Sequence, residues 1–112
     1  MSNLIYTHNH YVPRLFSKIV EWAQDRNLIN GATSKDQCLK LVQEVGELSD
    51  SLCKKKSPID DIGDCIVCLT ILAEQQGLTM QECIEHAYND IKDRKGTMID
   101  GVFVKDSDLT LK

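Results

Sequence analysis

The apolar run at residues 65–73, CIVCLTILA, constrains the fold of this chain more than any other stretch. Apolar side chains cover every side of a helix in this run, and a helix that is hydrophobic all round must be buried. Ser57 and Pro58 precede it as a cap and a first-turn residue, and Gly77 ends it. The sequence therefore predicts a helix here that lies at the centre of a bundle or in a subunit interface.

Three more helices and a hairpin are predicted around this central helix. Apolar residues recur at helical spacing over roughly residues 13–26, which predicts the first helix. Capping boxes at Ser34 with Gln37 and at Thr79 with Glu82 begin the second and fourth helices. Residues 97–104 change to the period of two short strands around an Asp-Gly turn. We therefore expect an all-α, four-helix bundle with a short C-terminal β-hairpin.

Composition bounds the class of protein. The chain has 112 residues, 42% of them hydrophobic and 27% charged, which is typical of one globular domain spanning residues 1–112. Residues 1–12 and 106–112 are expected to be loosely ordered. No stretch approaches the ~20 apolar residues that span a bilayer, and the N-terminus lacks a secretory signal, so we expect a cytoplasmic protein without a membrane partner. A net charge of -4 argues against a nucleic-acid polymer as partner.

The five cysteines are expected to be free thiols, because the number is odd and the chain has no export signal. Cys65 and Cys68 form a CxxC pair, the spacing of redox and zinc sites. They lie inside the apolar run, and no second CxxC or His pair completes a zinc site. We favour small, buried, hydrophobic residues over either chemistry.

Two acidic pairs flank the predicted turn between the second and third helices. Glu44 with Glu47, and Asp61 with Asp64, are each three residues apart, so each pair lies on one helical face. A short connection folds two such helices into a hairpin, in which the four carboxylates can converge. Oxygen ligands without His or Cys favour magnesium or manganese over zinc or copper, and bound magnesium commonly contacts substrate phosphates.

Each candidate also has an ordinary structural explanation. Acidic pairs are common on solvated helix faces, and Glu82 with Glu85 has the same spacing later in the chain. Lys40 lies one turn before Glu44, where it can pair with that residue or contact a phosphate. The row formed by Asn89, Lys92 and Lys95 either faces the acids, where it would suit a triphosphate, or faces water. Trp22, the only tryptophan, either packs at a helix edge or stacks on a nucleobase. His8 and His10 are expected to be surface residues.

Three segments together resemble a known family: KLVQEVGELSDSL, DDIGDCIVCLTILAEQQGL and AYNDIKDRKGTMIDGVFVK. They are similar to MazG-like proteins of the all-α nucleotide pyrophosphohydrolase superfamily, particularly the short, phage-type members, over roughly residues 34–105. The resemblance implies an enzyme that uses Mg²⁺, with Mn²⁺ as the alternative ion. Its substrate would be a nucleoside triphosphate, ribo or deoxy, cleaved between the α and β phosphates to the monophosphate and pyrophosphate. It also implies a homodimer or homotetramer.

The resemblance assigns roles to particular residues. It places the metal ligands at Glu44, Glu47, Asp61 and Asp64, and either Glu47 or Asp61 would orient or deprotonate the attacking water. Asp61 stands where the family usually has Glu, so it would bind through a water or share its role with Asp60. The substrate contacts would be Lys40, Asn89, Lys92, Lys95 and Trp22.

One alternative of a different class is a catalytically weak nucleotide-binding or protein-interaction module on the same fold, which the departure at Asp61 would suit. A di-iron carboxylate bundle is disfavoured, because such bundles carry paired ExxH motifs and this chain has none.

Overall fold

The computed structural model describes residues 11–109, and 69% of these residues are helical. The helices are α1 (Tyr11–Asp25), α2 (Ser34–Cys53), α3 (Ile59–Gln75), α4 (Met80–Ile91) and the single turn α5 (Asp106–Leu109). Strands β1 (Gly96–Ile99) and β2 (Val102–Lys105) form one antiparallel hairpin. The predicted helical class and the C-terminal hairpin are thus confirmed. None of the helices in this described part of the chain is long and apolar enough to cross a membrane.

Helix α3 is the centre of the fold, because α1, α2 and α4 all pack against it. Its second half carries the buried residues Cys68, Thr70, Ile71 and Ala73. Ile71 forms the main core cluster with Ala23 of α1 and Ile29 of the following loop. The apolar run is therefore central, as its composition predicts.

The first half of α3 is only partly covered by the other helices. Ile59 and Ile62 are 80% and 50% exposed, and Ile66, inside the apolar run, is 36% exposed. Burial of the helix on every side is therefore incomplete within a single chain.

Helix α2 packs on α3 alone, and over the described residues it makes no contact with α1 or α4. The described helices consequently do not close into a four-helix bundle within one chain. Most of the apolar side chains of α2 lie at the surface, among them Cys38, Leu39, Val42, Val45 and Leu52.

The helix caps correct two sequence predictions. Thr33, not Ser34, caps α2: its backbone is extended, and its Oγ1 accepts a hydrogen bond from the Asp36 N–H at 3.0 Å. Ser34 is already helical, and its Oγ accepts instead from Gln76 Nε2 at 2.6 Å. Pro58, not Ser57, occupies the cap position of α3, although the Ser57 Oγ accepts from the Ile59 N–H at 3.4 Å.

The start of α4 is as predicted. Thr79 and Glu82 form both hydrogen bonds of a capping box, each at 3.1 Å. Glu82 therefore has a structural partner at the helix end.

Gln75 fixes the loop that leads into α2. Its Nε2 donates to the carbonyls of Ile29 and Ala32, at 3.2 Å and 3.1 Å, from the last turn of α3. These bonds satisfy loop carbonyls. They also join the end of α3 to the start of the helix that carries Glu44 and Glu47.

The hairpin turns at Asp100 and Gly101, whose φ angles of 50° and 82° are the left-handed values of a tight hairpin turn. The hairpin contacts α5 but none of the helices α1–α4. Four of its apolar side chains are at least 41% exposed: Met98, Ile99, Val102 and Phe103. Within the tail expected to be loosely ordered, residues 106–109 form α5, whereas His8 and His10 lie outside the described residues.

Candidate functional site

The packing of α2 on α3 brings the two predicted acidic pairs into electrostatic contact. Glu44 is buried, with 6% of its surface exposed, and Glu47 lies at the surface one turn further along α2. A side-chain hydrogen bond from Glu47 to Glu44, and the negative charge of Glu44, raise the pKa of Glu47. Asp61, on the other helix, adds a smaller contribution in the same direction.

Asp64 completes the group on α3. Neighbouring protein groups that displace water raise the pKa of Asp64, and the negative charges of Glu44, Asp60 and Asp61 raise it further. We call these five residues, Glu44, Glu47, Asp60, Asp61 and Asp64, the acidic cluster. The carboxylates of α2 and α3 therefore lie close enough that the negative charge on one helix disfavours ionisation of the acids on the other.

Lys40 partly offsets this negative charge. Its Nζ lies 3.2 Å from Oε1 of Glu44, and the ammonium end of the pair is half exposed while the carboxylate is buried. The same lysine lowers the pKa of Glu47 and Asp64, but the acids outweigh it and both shifts remain upward. The acidic cluster therefore has more negative charge than Lys40 neutralises.

A divalent cation fits the donor chemistry of the acidic cluster. All of its donors are carboxylate oxygens, the ligands that Mg²⁺ and Mn²⁺ prefer, and a doubly positive ion would relieve the repulsion that raises the pKa values. The side chains are not set as ligands, however: among residues 11–109, no three His, Cys, Asp or Glu side chains are arranged to hold one ion. Glu44 forms an ion pair with Lys40, and Glu47 forms a hydrogen bond with Glu44. Both side chains must therefore change conformation before they can bind a cation.

A cleft adjoins the acidic cluster on the side of α1. It has a volume of about 460 Å³ and lies between α1 and α3. Its lining residues are Leu15, Lys18, Ile19, Trp22, Asp64 and Val67. Asp64 thus belongs to both features, and Trp22, predicted to contact a substrate ring, lines the same cleft as a predicted metal ligand. The size is that of a small-molecule pocket.

The predicted phosphate-binding row is not beside the acids in one chain. It is also not a helical row, because α4 ends at Ile91, which leaves Lys95 beyond the helix. Asn89, Lys92 and Lys95 are exposed, and α4 does not contact α2. In the described part of the chain, none of the three forms a hydrogen bond or ion pair with the acidic cluster. Lys92 caps α4, and the carbonyl of Lys95 accepts the Asp106 N–H at 3.0 Å.

Two residues that the sequence analysis did not single out lie next to Trp22, one on α1 and one directly after its end. Lys18 lines the cleft, and the Arg26 guanidinium lies over the Trp22 ring. They stand four residues before and four residues after Trp22, one helical turn away on the same face. The spacing of four residues on either side of Trp22 could have identified Lys18 and Arg26 from the sequence.

The cysteines behave as hydrophobic residues. All five are free; Cys68 is buried and Cys65 is half buried. Burial, and next the negative charge of Glu44, raise the pKa of both thiols, so the reactive thiolate is disfavoured. The CxxC spacing therefore gives no redox or zinc site here.

The fold and site define a small, mostly helical protein that holds an acidic cluster beside an apolar cleft. No family model matches the chain, and no solved structure matches it. A curated relative, the "uncharacterized 18.2 kDa protein in rep-hol intergenic region" of Haemophilus phage HP1 (strain HP1c1), is 44% identical over 64 residues. The match covers 55% of this chain and 39% of the relative, so the chain spans about two fifths of that protein's length.

Proposed function

We propose that this protein is a magnesium-dependent nucleoside triphosphate pyrophosphohydrolase of the MazG-like type. It would cleave a ribo- or deoxyribonucleoside triphosphate to the monophosphate and pyrophosphate. The observation that carries the proposal is the acidic cluster, in which α2 and α3 hold mutually repelling carboxylates next to a cleft. Such a cluster repels a polyphosphate on its own but attracts one when a divalent cation is present. The EVGEL, GD and NxxKxRKG sequence features support the same conclusion.

The acidic cluster has the residues that this chemistry needs. Glu44, Glu47 and Asp64 would hold the ion, with Asp61 or Asp60 contributing directly or through a water. A bound divalent cation supplies positive charge to the phosphate oxygens. The side chain of Glu47 is exposed on α2, so an attacking water can reach its carboxylate.

Glu47 is therefore our preferred general base. In the reaction, the oxygen of a water molecule forms a bond to phosphorus. The bridging P–O bond between the α and β phosphates breaks, and pyrophosphate leaves. Glu47 takes the proton of the water. Positioning and charge account for most of the rate in such reactions.

Substrate contacts are proposed on both sides of the acidic cluster. Lys40 is half exposed beside Glu44 and is placed to contact a phosphate oxygen once the carboxylate binds an ion. Trp22 lines the apolar cleft that Asp64 also lines, so the base would stack there while the phosphates lie over the acids.

We also propose that the active protein is a homodimer or homotetramer. Within residues 11–109, helix α2 packs on α3 alone, and Val42 is 62% exposed on its open face, beside Leu39 at 63%. Covering this face with a second copy would bury apolar area and complete the bundle. Such an assembly would also bring Asn89, Lys92 and Lys95 of a second copy next to the acidic cluster, which they do not reach within one chain.

Sedimentation analysis tests the assembly. Val42→Asp should dissociate the oligomer, whereas Gln43→Asp, which adds the same charge to the next exposed residue, should not. A wild-type protein that sediments as a monomer at micromolar concentration would contradict this part of the proposal.

The second candidate function is nucleotide binding without efficient turnover. Asp61 in place of the longer Glu favours it, and so do side chains that are not set as ligands. Incubating each nucleoside triphosphate with the protein and magnesium, and separating the products, decides between the two. Monophosphate with pyrophosphate supports the enzyme, and nucleotide binding without products supports the alternative. Release of single phosphate would mean that the bond assignment is wrong.

A further inference from the structure

We propose that Arg26 is a positioning residue: it covers one face of the Trp22 ring and leaves the opposite face open to stack a flat heteroaromatic ring in the cleft between α1 and α3. The proposal rests on the function proposed above, which supplies a nucleobase as the ring. It adds a residue and a role that no sequence motif indicates.

Arg26 makes two contacts with the same residue. Its guanidinium carbon lies 4.6 Å from the centre of the Trp22 ring, which is the geometry of a cation–π interaction. Its Nη1 also donates a hydrogen bond to the Trp22 carbonyl oxygen at 3.0 Å. The second contact anchors the guanidinium to the backbone that carries the ring. Both limit the freedom of the arginine and of the indole.

The Arg26 guanidinium lies outside the cleft. Trp22 lines the cleft together with Asp64 and Val67, whereas Arg26 is not among its lining residues. The guanidinium therefore contacts the ring without occupying the cleft. Trp22 is still 45% exposed, so a large part of the ring remains free for a ligand.

The environment of that free surface suits a nucleobase. Leu15, Ile19 and Val67 give the cleft apolar walls, and Lys18 and Asp64 supply its polar edge. A ring held in one orientation before binding loses less freedom when the ligand arrives, so Arg26 should increase affinity without contacting the ligand itself. Arginine suits this role better than lysine, because its planar guanidinium stacks on aromatic faces.

Trp22 is the only tryptophan in the chain, so tryptophan fluorescence reports on this ring alone. The probes are the four ribonucleoside 5′-monophosphates, titrated into wild type, Arg26→Gln, Arg26→Lys and the control Arg14→Gln, which changes an exposed arginine of α1, the helix that carries Trp22. At least one monophosphate should quench the wild-type fluorescence. Arg26→Gln should raise its Kd about two- to fivefold. Arg26→Lys should lie between wild type and Arg26→Gln, and Arg14→Gln should match wild type.

Steady-state kinetics separates positioning from a general loss of structure. Arg26→Gln should raise KM and leave kcat unchanged, because stacking stabilises bound substrate and transition state equally. A wild-type Kd in Arg26→Gln would overturn the proposal, as would equal weakening by Arg14→Gln. If Arg26→Gln does not fold, wild-type affinity in Arg26→Lys would overturn the preference for a planar guanidinium.

The two proposals fail separately. If no monophosphate quenches Trp22 while pyrophosphate is still released from triphosphates, the inference about the cleft is wrong and the proposed activity stands. If quenching depends on Arg26 but no triphosphate is hydrolysed, the ring site stands and the proposed activity is wrong.

Discussion

Two acidic pairs with the same spacing lie in different surroundings in this molecule. Glu44 and Glu47 on α2 face acids from α3, and the pKa of Glu47 is raised by Glu44 and by Asp61 across the helix pair. On α4, Glu82 accepts the Thr79 N–H in the capping box, and Glu85 is exposed. The first pair belongs to the acidic cluster, while the second lies in the first two turns of a helix.

The difference between the pairs comes from tertiary packing. An i,i+3 spacing places two carboxylates on one helical face in either case. Helix α2 packs on α3, which carries Asp60, Asp61 and Asp64 in its first two turns, and Asp61 contributes to the raised pKa of Glu47. A site that stabilises positive charge therefore requires a second helix that also carries acids, and each prediction below tests whether the two pairs differ in this way.

Turnover should separate the two pairs most strongly. Glu47→Gln keeps the size of the side chain but removes the proton acceptor, so kcat for triphosphate hydrolysis should fall by roughly 10²- to 10⁴-fold. Glu85→Gln makes the same chemical change in the other pair and should leave kcat within about twofold of wild type. Pyrophosphate release at saturating substrate measures both. Full activity in Glu47→Gln would remove that residue from the catalytic role.

Magnesium should stabilise the protein through the first pair only. An ion that binds the folded state alone, at a concentration about 100 times its Kd, adds about 2.7 kcal/mol to the free energy of unfolding. Wild type and Glu85→Gln should therefore show a higher Tm in magnesium than in chelator, without any nucleotide present. Glu44→Gln and Asp64→Asn should lose most of this rise. An equal rise in all four proteins would indicate that magnesium binds elsewhere.

The second pair should prove structural. Thr79→Ala removes the side-chain acceptor that caps α4, which should cost about 1 kcal/mol of stability. For a domain of this size, the Tm should fall by roughly 4–8 °C. The kcat should stay at the wild-type value below the transition, because Thr79 lies at the opposite end of α4 from Asn89 and Lys92, and within one chain α4 does not contact the helix that carries Glu44 and Glu47. A large fall in kcat with the Tm unchanged would give the α4 pair a functional role.

The sequence alone was sufficient for the four longer helices and the hairpin, but not for the short helix α5. The apolar run at residues 65–73 predicted the central helix, Thr79 with Glu82 predicted the start of α4, and the Asp-Gly pair predicted the hairpin turn. These predictions are correct because each depends on groups within a few residues of one another. The cap of α2 was misplaced by one residue, because Thr33 and Ser34 are both good caps and only backbone conformation distinguishes them.

Packing between distant residues was less predictable. Gln75 joins α3 to a loop more than 40 residues earlier, and nothing in the local sequence marks it for that role. The side on which α4 packs was also not predictable, so the orientation of Asn89 and Lys92 remained open. The contact between the acidic pairs was predicted, because a short connection between helices allows few arrangements.

The smallest expected effect is in the pH dependence of stability without divalent ions. The pKa of Glu47 is raised in the folded state above its ordinary value of 4.5, so the folded protein binds the Glu47 proton more tightly than the unfolded chain does. This contribution to stability is fully present below the ordinary value and is lost as the pH rises through the folded-state value. Glutamine resembles the protonated form at every pH. Glu47→Gln should therefore match the wild-type Tm at about pH 4 and exceed it at about pH 7 in chelator.

Magnesium should reverse that difference, because a bound cation stabilises the ionised carboxylate and removes the repulsion from Glu44. Thermal unfolding of both proteins across this pH range, in chelator and in magnesium, measures the effect, with Glu85→Gln as the baseline. A Tm difference between Glu47→Gln and wild type that is independent of pH would show that Glu44 and Glu47 do not interact in solution. The α2 pair would then be another solvated pair, like the one on α4.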